Sequence, residues 1–211
     1  MAESAAKALA LLRDGSHFQW DIIPLLLLVM YVYADAIERR NWSLVLAGLA
    51  FWGMDWFNEI WNGLVFHFTG FAPVWGTPGN GSSLVILIGL NIEICFMFAI
   101  MGIVMCKQLP TDKNLKILGI PNRLLYSIAG SALAVGIECL LNWVGALTWE
   151  YSWWNRGAPW LIWLIGYMPF FLVSFWVYDM EKLKNKFITV GIILGFDALL
   201  LIIFMSVLKW I

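Results

Sequence analysis

The sequence predicts an all-α fold, a polytopic membrane helix bundle, and three observations carry that expectation. Of 211 residues, 62% are hydrophobic and 13% are charged, whereas soluble domains carry about a quarter charged residues. Six apolar runs each approach the ~20 residues that cross a bilayer as a helix. The connections between them are short, so residues 20–211 read as a single six-helix transmembrane domain with no inserted soluble unit.

Taken in order, residues 1–19 precede the first span. Their opening stretch, MAESAAKALALLRD, lacks the continuous apolar core and small-residue cleavage site of a secretory signal. It predicts a short amphipathic helix lying in the membrane interface, ended by Gly15 and Ser16. The spans are expected at about 20–37, 43–66, 83–106, 123–147, 159–180 and 187–209. The stretches TGFAPVWGTPGNGSS (69–83) and TWEYSWWNRGA (148–158) are turn-forming loops rather than helices. Arg39, Arg40, Lys107, Lys113, Lys116, Arg123, Lys182, Lys184 and Lys186 follow odd-numbered spans, while the other two loops hold only Arg156. The positive-inside rule then makes the odd loops cytoplasmic and puts both termini on the non-cytoplasmic side. Asp35 and Asp179 fall at cytoplasmic span ends beside Arg39 and Lys182, and Glu150 and Arg156 are expected to pair in an outer loop.

The most informative stretch is Phe51 to Phe68, FWGMDWFNEIWNGLVFHF. Asp55, Asn58, Glu59 and Asn62 stand at i, i+3, i+4 and i+7, which makes them one polar stripe on a helix. Trp52, Trp56 and Trp61 surround that stripe. The orientation places Asp55 near mid-membrane and Glu59 about 6 Å further out. Asn91 and Glu93 on span three, and Glu138 and Asn142 on span four, fall in the outer half, and Asp197 on span six near the midplane. A carboxylate at such depth costs about 2.5–3.5 kcal/mol on insertion scales, so these groups face the protein interior or a water-filled cavity. For Asn58, Asn62, Asn91 and Asn142, interhelical hydrogen bonding explains the residue as well as ligand binding does. For Asp55, Glu59, Glu93 and Glu138 the balance tips to function, because no Lys or Arg lies inside a span to neutralise them. Asp197 stands alone on its helix, evenly balanced. Two carboxyls sharing a low-dielectric space cannot both ionise cheaply, so Glu59 is expected to keep its proton at neutral pH while facing the same cavity as Glu138.

Several classes are excluded. A net charge of −1 without a basic run gives no argument for nucleic acid. Two histidines, His17 and His67, are too few for a membrane di-iron enzyme, and Cys95, Cys106 and Cys139 lack metal or redox spacing. No calcium loop, nucleophilic triad or phosphate loop is present, so no metal and no cofactor are implied. Acids among aromatics in an apolar enclosure remain. A neutral carboxyl can protonate an alkene or epoxide, a second carboxylate or a water can take a proton back, and aromatic faces stabilise the cation formed between.

NEIWNGL in span two resembles the acidic helix of integral-membrane terpene cyclases. The run from Glu138, ECLLNWVGALTWEYSWWNRGAPWLIWLIGY, is similar to the E…G…W-x-Y…P arrangement of membrane carotenoid cyclases and hydratases. The resemblance implies a small helical bundle that protonates isoprenoids, with Glu59 as the acid and Glu138 as its partner. The P-x-E-(E/D) signature of carotenoid cyclases is absent, and six spans depart from the seven of the terpene cyclases. Sterol isomerases of the emopamil-binding type also combine acids and Trp in a small bundle, but their His-Glu pairing has no match at Asp55 and Glu59.

The resulting expectation is a membrane enzyme acting by acid–base chemistry on a lipophilic, isoprenoid-like substrate: cyclisation, hydration or isomerisation. Glu59, Asp55 and Glu138 are the catalytic candidates. Asn58, Asn62, Glu93, Asn142, Trp52, Trp56 and Asp197 are the candidates for holding substrate. The expected partners are a lipophilic small molecule or lipid and the membrane itself, with a homo-oligomer left open. The same residues would serve a proton-coupled transporter or binding protein for lipophilic cations, or a structural subunit of a larger membrane complex.

Overall fold

The computed structural model describes residues 1–78 and 81–211. Gly79 and Asn80, in the middle of the Gly/Pro loop expected at 69–83, lie outside the described residues. One short helix, α1 (Glu3–Ala10), precedes six long ones: α2 (Ile22–Glu38), α3 (Trp42–Thr69), α4 (Ile92–Gln108), α5 (Asn122–Trp143), α6 (Pro159–Asp179) and α7 (Leu183–Val207). Two antiparallel hairpins complete the fold, β1 (Val85–Leu87) with β2 (Leu90–Asn91), and β3 (Lys116–Ile117) with β4 (Ile120–Pro121).

The helix ends follow local chemistry. Asn41 caps α3, its side chain accepting from the Leu44 amide at 3.2 Å, and Gly70 closes the same helix at φ 58°, the left-handed position that favours glycine. Asn91 caps α4 by accepting from the Ile94 amide at 2.8 Å. That cap, with the hairpin before it, makes residues 85–91 a pair of strands where a helical span was expected, so the fold is mostly helical rather than all-α. In α6, Pro169 follows a π-helical stretch, Ile162–Tyr167. Proline has no amide hydrogen and crowds the carbonyl of the preceding turn, and a π turn is one way a helix absorbs that mismatch.

Among the described residues three helices, α5, α6 and α7, are long and apolar enough to cross a membrane. The other three long helices fall short for two reasons. Helices α2 and α4 have 17 residues each, about 26 Å at 1.5 Å per residue, against a hydrocarbon core of ~30 Å. Helix α3 has 28 residues, but the stripe from Asp55 to Asn62 interrupts its apolar run. Leu27 and Tyr31 on α2, Leu133 and Leu140 on α5, and Ile192 and Val207 on α7 are exposed, the belt expected of a surface in contact with lipid tails.

Helix α3 is the axis: α4, α6 and α7 pack directly on it, α2 covers α3 and α4, and α5 rests on α6. Glycines permit the closest approaches. A Cβ on Gly102 of α4 would lie 2.6 Å from Phe51 Cβ and 3.0 Å from Gly48 Cα, and one on Gly53 would lie 2.5 Å from Ile193 Cγ2 of α7. Such small-residue contacts hold membrane helices together where no hydrophobic force acts between them.

Ion pairs and loop contacts gather at the two ends. At one end Asp35 accepts from Arg39 at 2.7 Å and Lys107 at 3.2 Å. There too Asp179 accepts from Arg123 Nε at 2.8 Å and Nη2 at 2.9 Å. Arg123, not Lys182, is therefore the partner of Asp179. Lys186 is buried at the base of α7, where it donates to Ser43 Oγ at 2.8 Å and to the Tyr178 carbonyl. At the other end α1 is tied to the loops: the Ala2 amide donates to the Phe71 carbonyl at 2.8 Å, and the Arg13 amide to the Val85 carbonyl at 2.7 Å. Glu150 accepts from Ser4 there, in place of the expected pairing with Arg156. Adding one methyl at the tightest helix contact tests this packing. Gly102→Ala is expected to cost ~1–3 kcal/mol through overpacking and to lower the melting temperature in detergent. Gly136→Ala, whose Cβ meets nothing within 4 Å, is expected to leave it unchanged.

Candidate functional site

Three helical stripes with the same spacing converge on one cavity. Helix α3 contributes Asp55, Asn58 and Glu59, α4 contributes Ile94, Met97, Phe98 and Met101, and α5 contributes Ala134, Ile137, Glu138 and Leu141. Each set follows i, i+3, i+4, i+7 or part of it, so each helix turns one face inward. Helix α6 supplies Ile162, Gly166, Tyr167 and Phe170, and its π-helical stretch widens the spacing at this point.

Asp55 and Glu59 are each only 3% exposed. Glu59 Oε1 accepts from Trp75 Nε1 at 2.8 Å, and Glu138 Oε1 accepts from the Tyr167 hydroxyl at 2.9 Å. Each carboxyl keeps a second oxygen, Glu59 Oε2 and Glu138 Oε2, buried without a hydrogen-bond partner, and Asp55 Oδ2 is in the same state. Three unpartnered carboxyl oxygens at one cavity are unusual, because most buried polar side-chain atoms find partners. Trp154 also lines the cavity with its indole N–H unpartnered. Among the described residues, no group of three or more His, Cys, Asp or Glu side chains is arranged to hold a metal ion.

The floor is aromatic. Phe98, Tyr167 and Phe170 have ring centroids 5.9–6.0 Å apart, and Phe51 packs beneath them at 5.9 Å from Phe98 and 5.6 Å from Phe170. The roof is made by the two outer loops. Gly76 and Thr148 exchange backbone hydrogen bonds at 3.0 and 2.8 Å, and Trp75 stacks on Trp154 at 5.6 Å. The cavity measures about 70 Å³, room on the order of five waters.

Asn62, at the upper end of the stripe, builds the roof instead of lining the cavity. Its Nδ2 donates to the Trp75 carbonyl at 2.8 Å, and its Oδ1 accepts from the amides of Val74 at 2.7 Å and Trp75 at 3.3 Å. Gly89, in the β1–β2 turn, is packed against both groups: a Cβ there would lie 2.6 Å from Glu59 Oε2 and 2.7 Å from the Trp75 ring. Asn58 Nδ2 reaches the Gly166 carbonyl at 3.5 Å, a long contact.

The remaining sequence candidates lie elsewhere. Trp52 donates to Cys95 Sγ at 3.3 Å and stands edge-on to Trp56, in a cluster with Ile60, Leu87 and Phe204, and neither Trp lines the cavity. Glu93 accepts from the Ser82 hydroxyl at 2.7 Å and the Ser83 amide at 2.8 Å, fixing the approach to α4. Asn142 donates to the Leu147 carbonyl at 3.0 Å, closing the turn after α5. Asp197 is buried on α7 beside Gly53, with Oδ2 unpartnered but outside the cavity lining. Sequence reasoning passed over Tyr167, Trp75, Trp154, Gly89 and the α4 stripe. Pro169, inside an apolar run and two residues after Tyr167, was the one usable signal.

The arrangement can do two kinds of chemistry. Oriented carboxyls with a free oxygen can give and take protons, and five aromatic side chains, Trp75, Phe98, Trp154, Tyr167 and Phe170, can stabilise a cation held among them by about 0.5–2 kcal/mol per contact.

A family described as an uncharacterized membrane protein family matches residues 2–206. A protein of Archaeoglobus fulgidus described as an uncharacterized protein is 56% identical over 209 residues, 99% of each chain. A second from the same organism, with the same description, is 57% identical over 53 residues, which are 25% of this chain and 95% of its own length. No solved structure matches. With a family match across nearly its whole length and a relative similar from end to end, the chain belongs to this membrane protein family.

Proposed function

We propose that the protein is an integral membrane enzyme that performs acid–base chemistry on a lipophilic, isoprenoid-like substrate. The observation that supports this is the set of three carboxyl groups, each with an unpartnered buried oxygen, at one aromatic-walled cavity. In the proposed step the carboxylic O–H of Glu59 adds its proton to a carbon–carbon double bond, leaving a carboxylate on the enzyme and a carbocation on the substrate. Phe98, Tyr167 and Phe170 face the cation. Glu138, held by the Tyr167 hydroxyl, then removes a proton to form a new double bond, or takes one from a water that adds to the cation. Asp55, one turn from Glu59, disfavours a second charge in the same space.

All six long helices are proposed to cross the bilayer. The ends bearing Arg39, Lys107, Arg123 and Lys186 would be cytoplasmic and both termini would be outside. The short α2 and α4 are accommodated because a bilayer thins or lipids adjust around helices below its natural thickness. The same cavity supports a second reading, binding or proton-coupled transport of a lipophilic cation, since carboxylates and aromatic faces attract both a transient and a permanent positive charge.

Two experiments test these statements. Protein reconstituted in deuterium oxide and given a panel of linear isoprenoids is expected to place solvent deuterium on a product carbon. Glu59→Gln should slow this by ~10²–10⁴-fold, the usual contribution of a positioned general acid. Incorporation unchanged in Glu59→Gln would remove Glu59 as the acid. Uptake of tetraphenylphosphonium by proteoliposomes, lost in Glu59→Gln with no deuterated product, would decide for transport. For topology, Lys113→Cys in sealed cells is expected to react only with membrane-permeant thiol reagents, and labelling by an impermeant one would reverse the orientation.

A further inference from the structure

We infer, building on the acid–base reading of the cavity, that its substrate is a membrane-dissolved linear hydrocarbon chain that enters sideways from the bilayer, between α4 and α5 and past Met97. The other sides are closed. Helix α3 packs against α4 and α6, and α5 packs against α6. Above, the Gly76–Thr148 bridge and the Trp75–Trp154 stack form the roof. Below, the Met105 methyl lies 2.9 Å from where a Cβ on Gly130 would stand, so the two helices meet through that side chain under the cavity.

Between roof and floor α4 and α5 face each other without close packing along their length. The residues they present are all apolar except Glu138: Ile94, Met97, Met101, Ala134, Ile137 and Leu141. A hydrocarbon chain passing between them breaks no hydrogen bond. Met97 is both 42% exposed and part of the cavity lining, so one side chain reaches from the outer surface of the bundle to the cavity. Methionine, unbranched and with three rotatable bonds, adjusts to a passing chain more readily than a branched residue. The chemistry sits on the far walls, with Asp55 and Glu59 on α3 and the Tyr167 hydroxyl on α6. A chain end threaded through this slot therefore reaches the acids last. A slot bounded by two helices admits a narrow chain terminus more readily than a fused-ring body.

The test uses the full-length protein in phosphatidylcholine nanodiscs with a linear isoprenoid hydrocarbon carrying a diazirine at one end. Irradiation is expected to attach the probe within residues 94–101 and 134–141. Met97→Trp and Ala134→Trp should each lower that yield by about tenfold, equivalent to ~1.4 kcal/mol of binding. Leu133→Trp, on the exposed face of α5, should leave it unchanged, and thermal unfolding of each variant establishes that it is folded. Attachment spread evenly over exposed faces, or equal attachment of a sterol bearing the same group, overturns the inference. The two readouts taken together on the unaltered protein separate the two proposals. Attachment retained in the slot without solvent deuterium in any product defeats the acid chemistry alone, and deuterated product without attachment in the slot defeats lateral entry alone.

Discussion

The burial of carboxyl groups within an apolar bundle is the constraint on which the rest of this structure depends. Removing an ion from water costs several kcal/mol even after the surroundings relax, and the described residues place no Lys or Arg beside Asp55, Glu59 or Glu138. Neutral donors stand there instead. Trp75 reaches Glu59 from the loop after α3, and Tyr167 reaches Glu138 from the π-helical part of α6. Both donors belong to irregular segments, so the loops and the broken helix are part of what makes the acids tolerable. The outer loop is in turn held by Asn62, one turn beyond Glu59 on the same helix. The stripe on α3 thus supplies both the acid and the anchor for the acid's partner.

Helix α3 can carry this load because it is packed on several sides. Gly48, Gly53 and Gly63 each lie where a Cβ would come within 3 Å of a neighbouring residue, so α4, α7 and the chain after α7 approach the α3 backbone directly. Helix α5 differs, packing mainly on α6 and meeting α4 through Met105 beside Gly130. The cavity lies between the firmly packed part of the bundle and this looser helix.

What was legible in the sequence follows from the range over which each signal acts. Helix positions could be read because apolar runs and caps are local. The expected 43–66 and 123–147 became Trp42–Thr69 and Asn122–Trp143. The start of α4 was misplaced because Leu84–Leu90 is as apolar as a span, and only the paired strands and the Asn91 cap distinguish it. The α3 stripe stood out because polar residues are rare in such a run, and Glu138 for the same reason. Phe98, Met97 and Met101 could not stand out: their periodicity is that of any buried helix face. The functions of Trp52, Glu93 and Asn142 as packing and loop-fixing groups, and of Trp75 and Tyr167 as donors, depend on contacts across many residues of sequence, which no local pattern encodes.

Asn62 and the acids on the same stripe show how glue and site can be told apart. A polar residue retained to tie helices and loops together satisfies its own atoms in doing so, since an unmade buried hydrogen bond costs about 1–3 kcal/mol. Asn62 does this: both its amide nitrogen and its oxygen are bonded, and its side chain is fully buried. Glu59 stands one turn away in the same environment, with one oxygen bonded and the other left without a partner. Glu138 repeats the pattern from a different helix, and Asp55 leaves an oxygen free at the same cavity. If packing alone had shaped these positions, amides would serve better than acids, because they offer donors as well as acceptors. Three acids meeting from two helices at one aromatic enclosure are instead the arrangement that the proposed proton transfer to a bound molecule would use.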